Sequence, residues 1–161
     1  MTFFDTLESL PLSVWIREAP YGFHYFVAAH LIGIMLSAGL VAWFDLRLLG
    51  ISMTRVPVSV VYRRLMPVAF AGFAIMFTTG GILLAAYANN AFPNTFFRLK
   101  VAAIVLAGVN ALVYHRLTER TIAAWDAGGP LPFGARVAGL CSIALWASVI
   151  LLGRAMSYTM F

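Results

Sequence analysis

Four long stretches of the chain contain no Asp, Glu, Lys or Arg, and polar connections separate them. They cover residues 19–44, 65–97, 101–115 and 137–153. A helix that crosses a bilayer needs about 20 mostly apolar residues. The two shorter stretches reach this length only if Arg98, Lys100 and Arg154 lie at helix ends and extend to the interface. The pattern therefore predicts an all-α, four-helix membrane bundle that forms a single domain over residues 1–161. We place the spans near 21–46, 66–88, 96–116 and 136–157.

Helix-ending residues lie between these spans. Pro20 suits the first turn of span one, and Gly50 follows the end of that span. Asn94 is a candidate N-cap for span three, and Gly128-Gly129-Pro130 separates spans three and four. A short amphipathic segment that starts at Pro57 is predicted to lie on the membrane surface before span two.

The first eighteen residues carry acidic side chains where a cleavable signal would be basic. Their apolar positions instead fit short helices with one apolar face. We expect residues 1–18 to lie in the outer interface with Trp15 as an anchor. Docking of a partner protein on this segment is the alternative.

Composition supports the membrane assignment. Hydrophobic residues make up 62% of the chain and charged residues 11%, and the mean hydropathy is +0.90. Soluble domains are about 25% charged, so a large soluble enzyme, a disordered tail and a secreted disulfide scaffold are excluded. Cys141 is the only cysteine, which excludes an intramolecular disulfide. The net charge of +5 comes from scattered residues, so nucleic-acid binding is not expected.

The basic residues predict an orientation. Seven lie in the connections after spans one and three: Arg47, Arg55, Arg63, Arg64, Arg116, Arg120 and Arg136. Four lie on the opposite side: Arg17, Arg98, Lys100 and Arg154. Because positive residues concentrate on the cytoplasmic side, both termini are expected to face the periplasm of a bacterial inner membrane.

Small residues predict close helix packing, because lipid provides no hydrophobic drive for helices to associate. Ala29, Gly33 and Ser37 recur every four residues in span one, and Gly72 lies in span two. The same positions would also admit a flat cofactor between helices.

Ionisable groups at membrane depth are candidates for function. His24 lies near the outer mouth, His30 about 14 Å below the start of span one, and His115 about 28 Å below the start of span three. His30 and His115 are thus too far apart in depth to ligate one haem iron. A haem on His30 would need another second ligand: Lys100, Met156, Tyr158, a histidine of a neighbouring subunit, or an open position.

Each histidine also has a structural interpretation. Thr78, Thr79 and Ser148 fall at the depth of His30, and one of these hydroxyls could hydrogen-bond its imidazole. His24 fits an interfacial role beside tyrosines, and His115 fits a charged cluster with Asp45 and Arg116. Asn110 is expected to form an interhelical hydrogen bond.

The outer mouth is predicted to hold a basic ring with aromatic walls. Its members are Arg17, Arg98, Lys100 and Arg154 with His24, Tyr25, Tyr87 and Tyr158. Such a ring would suit haem propionates, a quinone headgroup, a lipid phosphate or an acidic partner protein.

The chain resembles a bacterial family of four-span membrane proteins of unknown function over nearly its whole length. The resemblance rests on six motifs: PLSVWIR (11–17), AHLIG (29–33), FDLRLLG (44–50), FRLK (97–100), NALVYHR (110–116) and AWDAG (124–128). The resemblance implies that His30 and His115 are characteristic positions of the family. The chain is more distantly similar to copper-resistance D membrane domains and to the haem-associated membrane protoporphyrinogen oxidase, in which His30, Lys100 and Tyr114-His115 have counterparts.

These observations lead to two hypotheses. In the first, the protein is a b-type haem-binding or electron-transfer subunit that works with an oxidoreductase, a quinone or a redox partner, alone or as a homo- or hetero-oligomer among membrane lipids. His30 and His115 are then the candidate metal ligands, and His24, Arg98, Lys100 and Arg154 the further candidate cofactor-binding residues. In the second, it is a non-catalytic anchor or assembly subunit, or a metal-handling transport protein, and its histidines are structural.

Overall fold

The computed structural model describes residues 2–118, 125–126 and 131–160. Its helices, in chain order, are α1 (Phe3–Glu8), α2 (Pro11–Glu18), α3 (Gly22–Ile34), a π-helical turn (Met35–Gly39), α4 (Leu40–Leu48), α5 (Val58–Ala86), α6 (Ala88–Ala91), α7 (Thr95–Thr118) and α8 (Phe133–Met160). The described residues form no strand. The predicted Gly128-Gly129-Pro130 connection and Arg120 lie outside the described residues.

Four helical segments are long and apolar enough to cross a membrane, as the sequence predicted. They are Gly22–Leu48, Val58–Ala86, Thr95–Leu117 and Phe133–Met160. The first contains α3, the π-helical turn and α4 in one continuous segment. The first and last described residues, 2 and 160, lie at one end of the bundle, here called the terminal end. The connection between α4 and α5 lies at the opposite end, here called the loop end.

Span two begins earlier than expected. The segment after Pro57 is not a separate surface helix; it forms the first turns of α5, which continues through Pro67. Val58 and Val61 face inward and are 1% and 3% exposed. Their burial against α4 extends the helix beyond the charge-free stretch, which is why a count of uncharged residues placed the start too late.

The predicted helix-ending residues take the expected conformations where they are described. Gly50 adopts φ +76° after α4, and its N–H donates to Arg47 O at 3.1 Å. Ile51 N–H donates to Leu46 O at 2.9 Å, which completes a Schellman motif. Asn94 caps α7, because its Oδ1 accepts from the N–H of Phe96 at 2.9 Å. Pro20 lies just before α3 rather than within its first turn.

The spans associate as two helix pairs. α3 packs along α5 and α7 packs along α8, while α4 contacts both α5 and α8 and so joins the pairs near the loop end. Gly33 and Gly72 form the closest approach of the first pair. A Cβ on Gly33 would lie 2.7 Å from Met76 N, and one on Gly72 would lie 2.6 Å from Ser37 N. The predicted small-residue packing is therefore present between spans one and two.

Two buried clusters fill the bundle. The central one joins all four spans through Ala38, Met76, Ala103, Ala107, Trp146 and Val149. The second lies at the loop end and contains Phe44, Leu48, Val58, Val61, Met66 and Ala69. Ser37, which is fully buried, lies beside Met76 of the central cluster.

The N-terminal segment forms two short helices that cover the terminal end, as predicted. Ile16 of α2 is 1% exposed, and α2 packs against α5 and α3. Arg17 binds two carbonyl groups at once, those of Ala86 and Glu8, each at 2.7 Å. Trp15 remains half exposed, and its place at the membrane interface stays a prediction.

Candidate functional site

The most informative polar contact within the spans joins His30 of α3 to Thr79 of α5. Their Nδ1 and Oγ1 atoms are 3.0 Å apart. The Thr79 hydroxyl itself donates to Ile75 O at 2.7 Å. In the tautomer that carries the ring proton on Nδ1, Thr79 Oγ1 accepts from His30 and Nε2 presents a lone pair. The sequence had named Thr79 among three hydroxyls at this depth, and the structure selects it.

Helix register explains this pairing. Gly33 lies against Met76 at the close approach of α3 and α5. One turn further toward the terminal end, the same two antiparallel helices bring His30 beside Thr79 and Gly80. A Cβ on Gly80 would lie 2.9 Å from His30 Cε1. The absence of a side chain at Gly80 thus leaves the space that the imidazole occupies, and the ring is held on two sides.

Lys100 approaches the same region from the second helix pair. Its Nζ would be 3.2 Å from a Cβ on Gly153 of α8, so the side chain crosses α8 where a larger residue would block it. The positive charge of Lys100 and that of a protonated His30 would repel each other. Lys100 is half-buried, whereas Arg98 and Arg154 are exposed. We call His30, Thr79, Gly80, Lys100 and Gly153 the His30 site.

The remaining cations of the terminal end do not form one ring. Arg154 donates to Tyr158 OH at 2.9 Å and lies 4.6 Å from the centre of that ring. Arg98 donates through Nε to Phe92 O at 3.1 Å. Arg17 is used to join helix ends. His24 is exposed and contacts the rings of Tyr21 and Phe23, as expected of an interfacial residue.

A second polar site lies at the loop end. Asp45 is 4% exposed and lies beside Ser142 of α8, while its Oδ2 has no hydrogen-bond partner among the described residues. The sequence grouped Asp45 with His115 and Arg116, whose side chains are both exposed. Ser142 was missed as its partner, although it lies three residues after Gly139, on the helix face that meets Asp45.

Two further polar residues in the spans hydrogen-bond to backbone carbonyl groups. Asn110 Nδ2 donates to Ala138 O of α8 at 3.0 Å, which is the interhelical bond that the sequence predicted. Ser148 donates to Ala144 O within its own helix. Within residues 2–118, 125–126 and 131–160, no group of three or more His, Cys, Asp or Glu side chains could hold a metal ion.

A family model matches residues 17–159 of the chain. The protein belongs to DUF6644, a family of unknown function. Neither the curated proteins nor the solved structures contain a significant match to it. The comparisons thus establish family membership for this DUF6644 protein and do not support the two more distant resemblances.

The His30 site of the DUF6644 protein can be tested for its fit to a haem. A histidine that ligates iron through Nε2 usually donates its other ring N–H to a fixed acceptor, and Thr79 is such an acceptor. Lys100 supplies a positive charge that suits a propionate. His115 lies near the other end of its span. A haem held at this site would take one histidine from this chain, His30.

Proposed function

We propose that the protein is a small b-type haem-binding subunit of the bacterial inner membrane that transfers electrons beside an oxidoreductase. His30 would hold the haem iron through Nε2. The observation that carries the proposal is the His30–Thr79 hydrogen bond, because it holds the imidazole through Nδ1 on a neighbouring helix.

The chain's own residues would each have a defined task in this function. Thr79 orients the imidazole and holds its proton at Nδ1, and Gly80 leaves space for the ring. Lys100 binds a carboxylate in the half-buried layer beside His30, where charge-assisted contacts are stronger than in water. When bound, the haem supplies one-electron chemistry. A quinone or a redox partner protein is the proposed source or acceptor of the electrons.

The test is an absorption spectrum of the full chain purified in detergent, recorded oxidised and after reduction by dithionite. We expect a Soret band that sharpens and shifts on reduction. The band should be lost in His30→Ala and kept in His24→Ala, the matched control on the same helix. A preparation that stays colourless after haem is supplied contradicts the proposal.

A second part of this test compares the spectrum of His115→Ala with that of the original protein and measures the oligomeric state. If a neighbouring copy supplies the second ligand, His115→Ala alters the spectrum and haem binding follows protein association. If His115→Ala leaves the spectrum unchanged, the second position belongs to another histidine of a neighbouring copy, to Lys100, Met156 or Tyr158, or stays open.

The alternative function is a non-catalytic anchor or assembly subunit, or a metal-handling transport protein. This alternative is favoured by two arginines of the terminal end whose contacts lie within the protein. Arg17 binds the Ala86 carbonyl at the end of α5, and Arg154 lies on the ring of Tyr158. A colourless protein that co-purifies with an oxidoreductase would support the anchor role. Metal analysis of the same preparation would identify the transport role.

A further inference from the structure

The buried carboxyl group of Asp45 has no part in the function proposed above. Asp45 of α4 is 4% exposed, and its Oδ2 has no hydrogen-bond partner among the described residues. The great majority of buried polar atoms in proteins have such a partner, so an exception of this kind calls for an explanation. Ionisable groups within a membrane span are unfavourable and are candidates for function.

Asp45 lies in the contact between α4 and α8. A Cβ on Gly139 of α8 would lie 3.2 Å from Asp45 O and 3.3 Å from Leu48 Cβ, so the two helices meet there at close range. Ser142 is 8% exposed and lies beside the carboxyl group. We call Asp45, Gly139 and Ser142 the loop-end site. Because α4 joins the α3–α5 pair to the α7–α8 pair, the loop-end site lies where the two pairs meet.

No cation of the described residues is paired with Asp45. Arg47 of the same helix is 8% exposed, but its Nε donates to Val56 O at 3.0 Å. The π-helical turn Met35–Gly39 contains no titratable residue. Two tyrosines, Tyr62 of α5 and Tyr114 of α7, meet the ring of Phe44 edge-on. The other charged or titratable side chains near this end are exposed: Arg55, Arg63, Arg64, His115, Arg116, Arg136 and Cys141.

A proton is therefore the group that can neutralise Asp45 where it lies. An ionised carboxylate that is buried without a partner is strongly unfavourable, because it has lost its water and gained no opposite charge. A protonated carboxyl group is neutral, and it can both donate and accept a hydrogen bond. A metal ion would need several further ligands, and the described residues contain no group of three or more His, Cys, Asp or Glu side chains that could hold one.

We infer that Asp45 is a proton-binding site within the membrane and that its proton controls the contact between α4 and α8. With the proton bound, the carboxyl group is neutral and α8 packs over it at Gly139. When the O–H bond breaks, the proton passes to water at the loop end and the electron pair stays on the carboxylate. The charged group then draws water into the loop-end site, so the two helix pairs separate at this end. This inference is independent of haem binding.

The proton is detected by infrared spectroscopy of the full chain in detergent, at a mildly acidic pH where an ordinary aspartate is ionised. We expect the C=O stretching band of a protonated carboxyl group. The band should be lost in Asp45→Asn. It should remain in Asp5→Asn, the matched control, because the Asp5 carboxylate lies at the terminal end and accepts hydrogen bonds from Thr2 and Asn89.

Control of the helix contact is measured by hydrogen exchange of the α4 and α8 amides at the loop end, corrected for intrinsic rates. As the pH is raised, the infrared band should disappear and exchange should become faster. Because each opening releases one proton, the opening equilibrium constant should rise about tenfold per pH unit while the closed form is still protonated. Asp45→Asn carries an amide that cannot ionise, so its corrected exchange should stay slow throughout.

The opposite results overturn the inference. If the band is absent at mildly acidic pH, Asp45 is ionised in the folded protein; if it persists in Asp45→Asn, it belongs to another acid. Exchange that rises equally in Asp45→Asn would mean that the proton does not control the contact. Stability that follows the sodium or potassium concentration at fixed pH would assign the site to a metal cation.

A second variant keeps the test decisive if Asp45→Asn does not fold. Asp5→Asn combined with Asp126→Asn leaves Asp45 as the only aspartate of the chain. Labelling this variant with ¹³C-carboxyl aspartate should shift the infrared band to lower frequency, since the heavier carbon slows the C=O stretch. A band that does not shift would come from a glutamate and would contradict the assignment to Asp45.

Discussion

At the scale of single residues, the buried or half-buried side chains of His30 and Asp45 each lie against a hydroxyl group of another helix. Thr79 bonds Nδ1 of His30, and Ser142 is the hydroxyl beside the buried Asp45 carboxyl at the loop end. Both hydroxyls come from a helix other than that of the group they bind. Removing a partner from a buried polar group costs more than the bond itself contributes, so these two residues are sensitive positions.

Replacing Thr79 by Val should remove the acceptor of His30 Nδ1–H while preserving the shape of the side chain. We expect haem affinity to fall about 10–100-fold, the usual loss when an outer-shell partner is removed, and the redox midpoint to shift. A titration of the apo-protein with haem measures this. Thr79→Ser retains the hydroxyl and should stay close to the original protein; an equal loss in both variants would contradict the orienting role.

Replacing Ser142 by Ala should leave the buried Asp45 carboxyl without its partner. We expect a loss of about 1–3 kcal/mol in the free energy of unfolding. Denaturation in mixed micelles measures it, and Asp45→Ala together with the double variant completes a mutant cycle. If Ser142→Ala costs as much in the Asp45→Ala background as in the original protein, the two residues are not coupled.

At the scale of elements, close contact of α3 with α5 positions the His30 site. The approach at Gly33 and Gly72 brings two backbones together, and the π-helical turn Met35–Gly39 follows directly in span one. Ser37 in that turn donates to Gly33 O at 2.7 Å. Since His30 lies one turn from Gly33, any separation of these helices would also separate His30 from Thr79.

Gly33→Ala is therefore expected to destabilise the protein by about 1–3 kcal/mol, as overpacking does. Its Cβ would meet the Met76 backbone, which cannot rotate away. Gly39→Ala is the matched control in the same span, because nothing lies within 4 Å of its Cβ. Denaturation in mixed micelles compares the two variants, and equal effects would mean that the close approach does not limit stability.

The attachment of α1 should depend on pH through Asp5. Because the folded-state pKa of Asp5 is lowered, first by the Thr2 backbone N–H, its stabilising effect is complete above the ordinary pKa near 3.8 and is lost as the pH falls through the lowered value. Hydrogen exchange of α1 amides, corrected for intrinsic rates, should therefore rise in acid. Asp5→Asn should exchange faster already at neutral pH and show no such rise.

At the scale of the whole molecule, the first and last described residues lie at one end and the α4–α5 connection at the other. The excess of arginine in the connections after spans one and three predicts that the terminal end faces the periplasm. The His30 site would then lie in the outer half of the membrane, and Asp45 near the cytoplasmic side. This orientation is a prediction from charge.

Cysteine labelling tests that orientation in a Cys141→Ser background. A cysteine at Thr2 should react with an impermeant maleimide added to the periplasmic side. A cysteine at Thr54, in the opposite connection, should react only after the inner membrane is opened. The reverse pattern would invert the topology.

Much of the fold follows from the sequence because its signals are local. Charge-free length predicts four spans, and Gly50 and Asn94 predict where helices stop and start. The early start of α5 was missed because it depends on burial of Val58 and Val61 against another helix. Similarly, residue spacing placed Thr79 at the depth of His30, but two other hydroxyls at that depth were equally suitable.

The sequence by itself indicated that the helices lie in a lipid bilayer, and it determined the number of spans and the set of polar residues within them. These features follow from hydrophobic length and charge, which are properties of consecutive residues. Only the tertiary structure decided the partners: Thr79 for His30, Ser142 for Asp45, and Gly153 for Lys100. The physical reason is that these pairs depend on the rotation and register of packed helices. Register is set by where two backbones can approach, at Gly33 and Gly72.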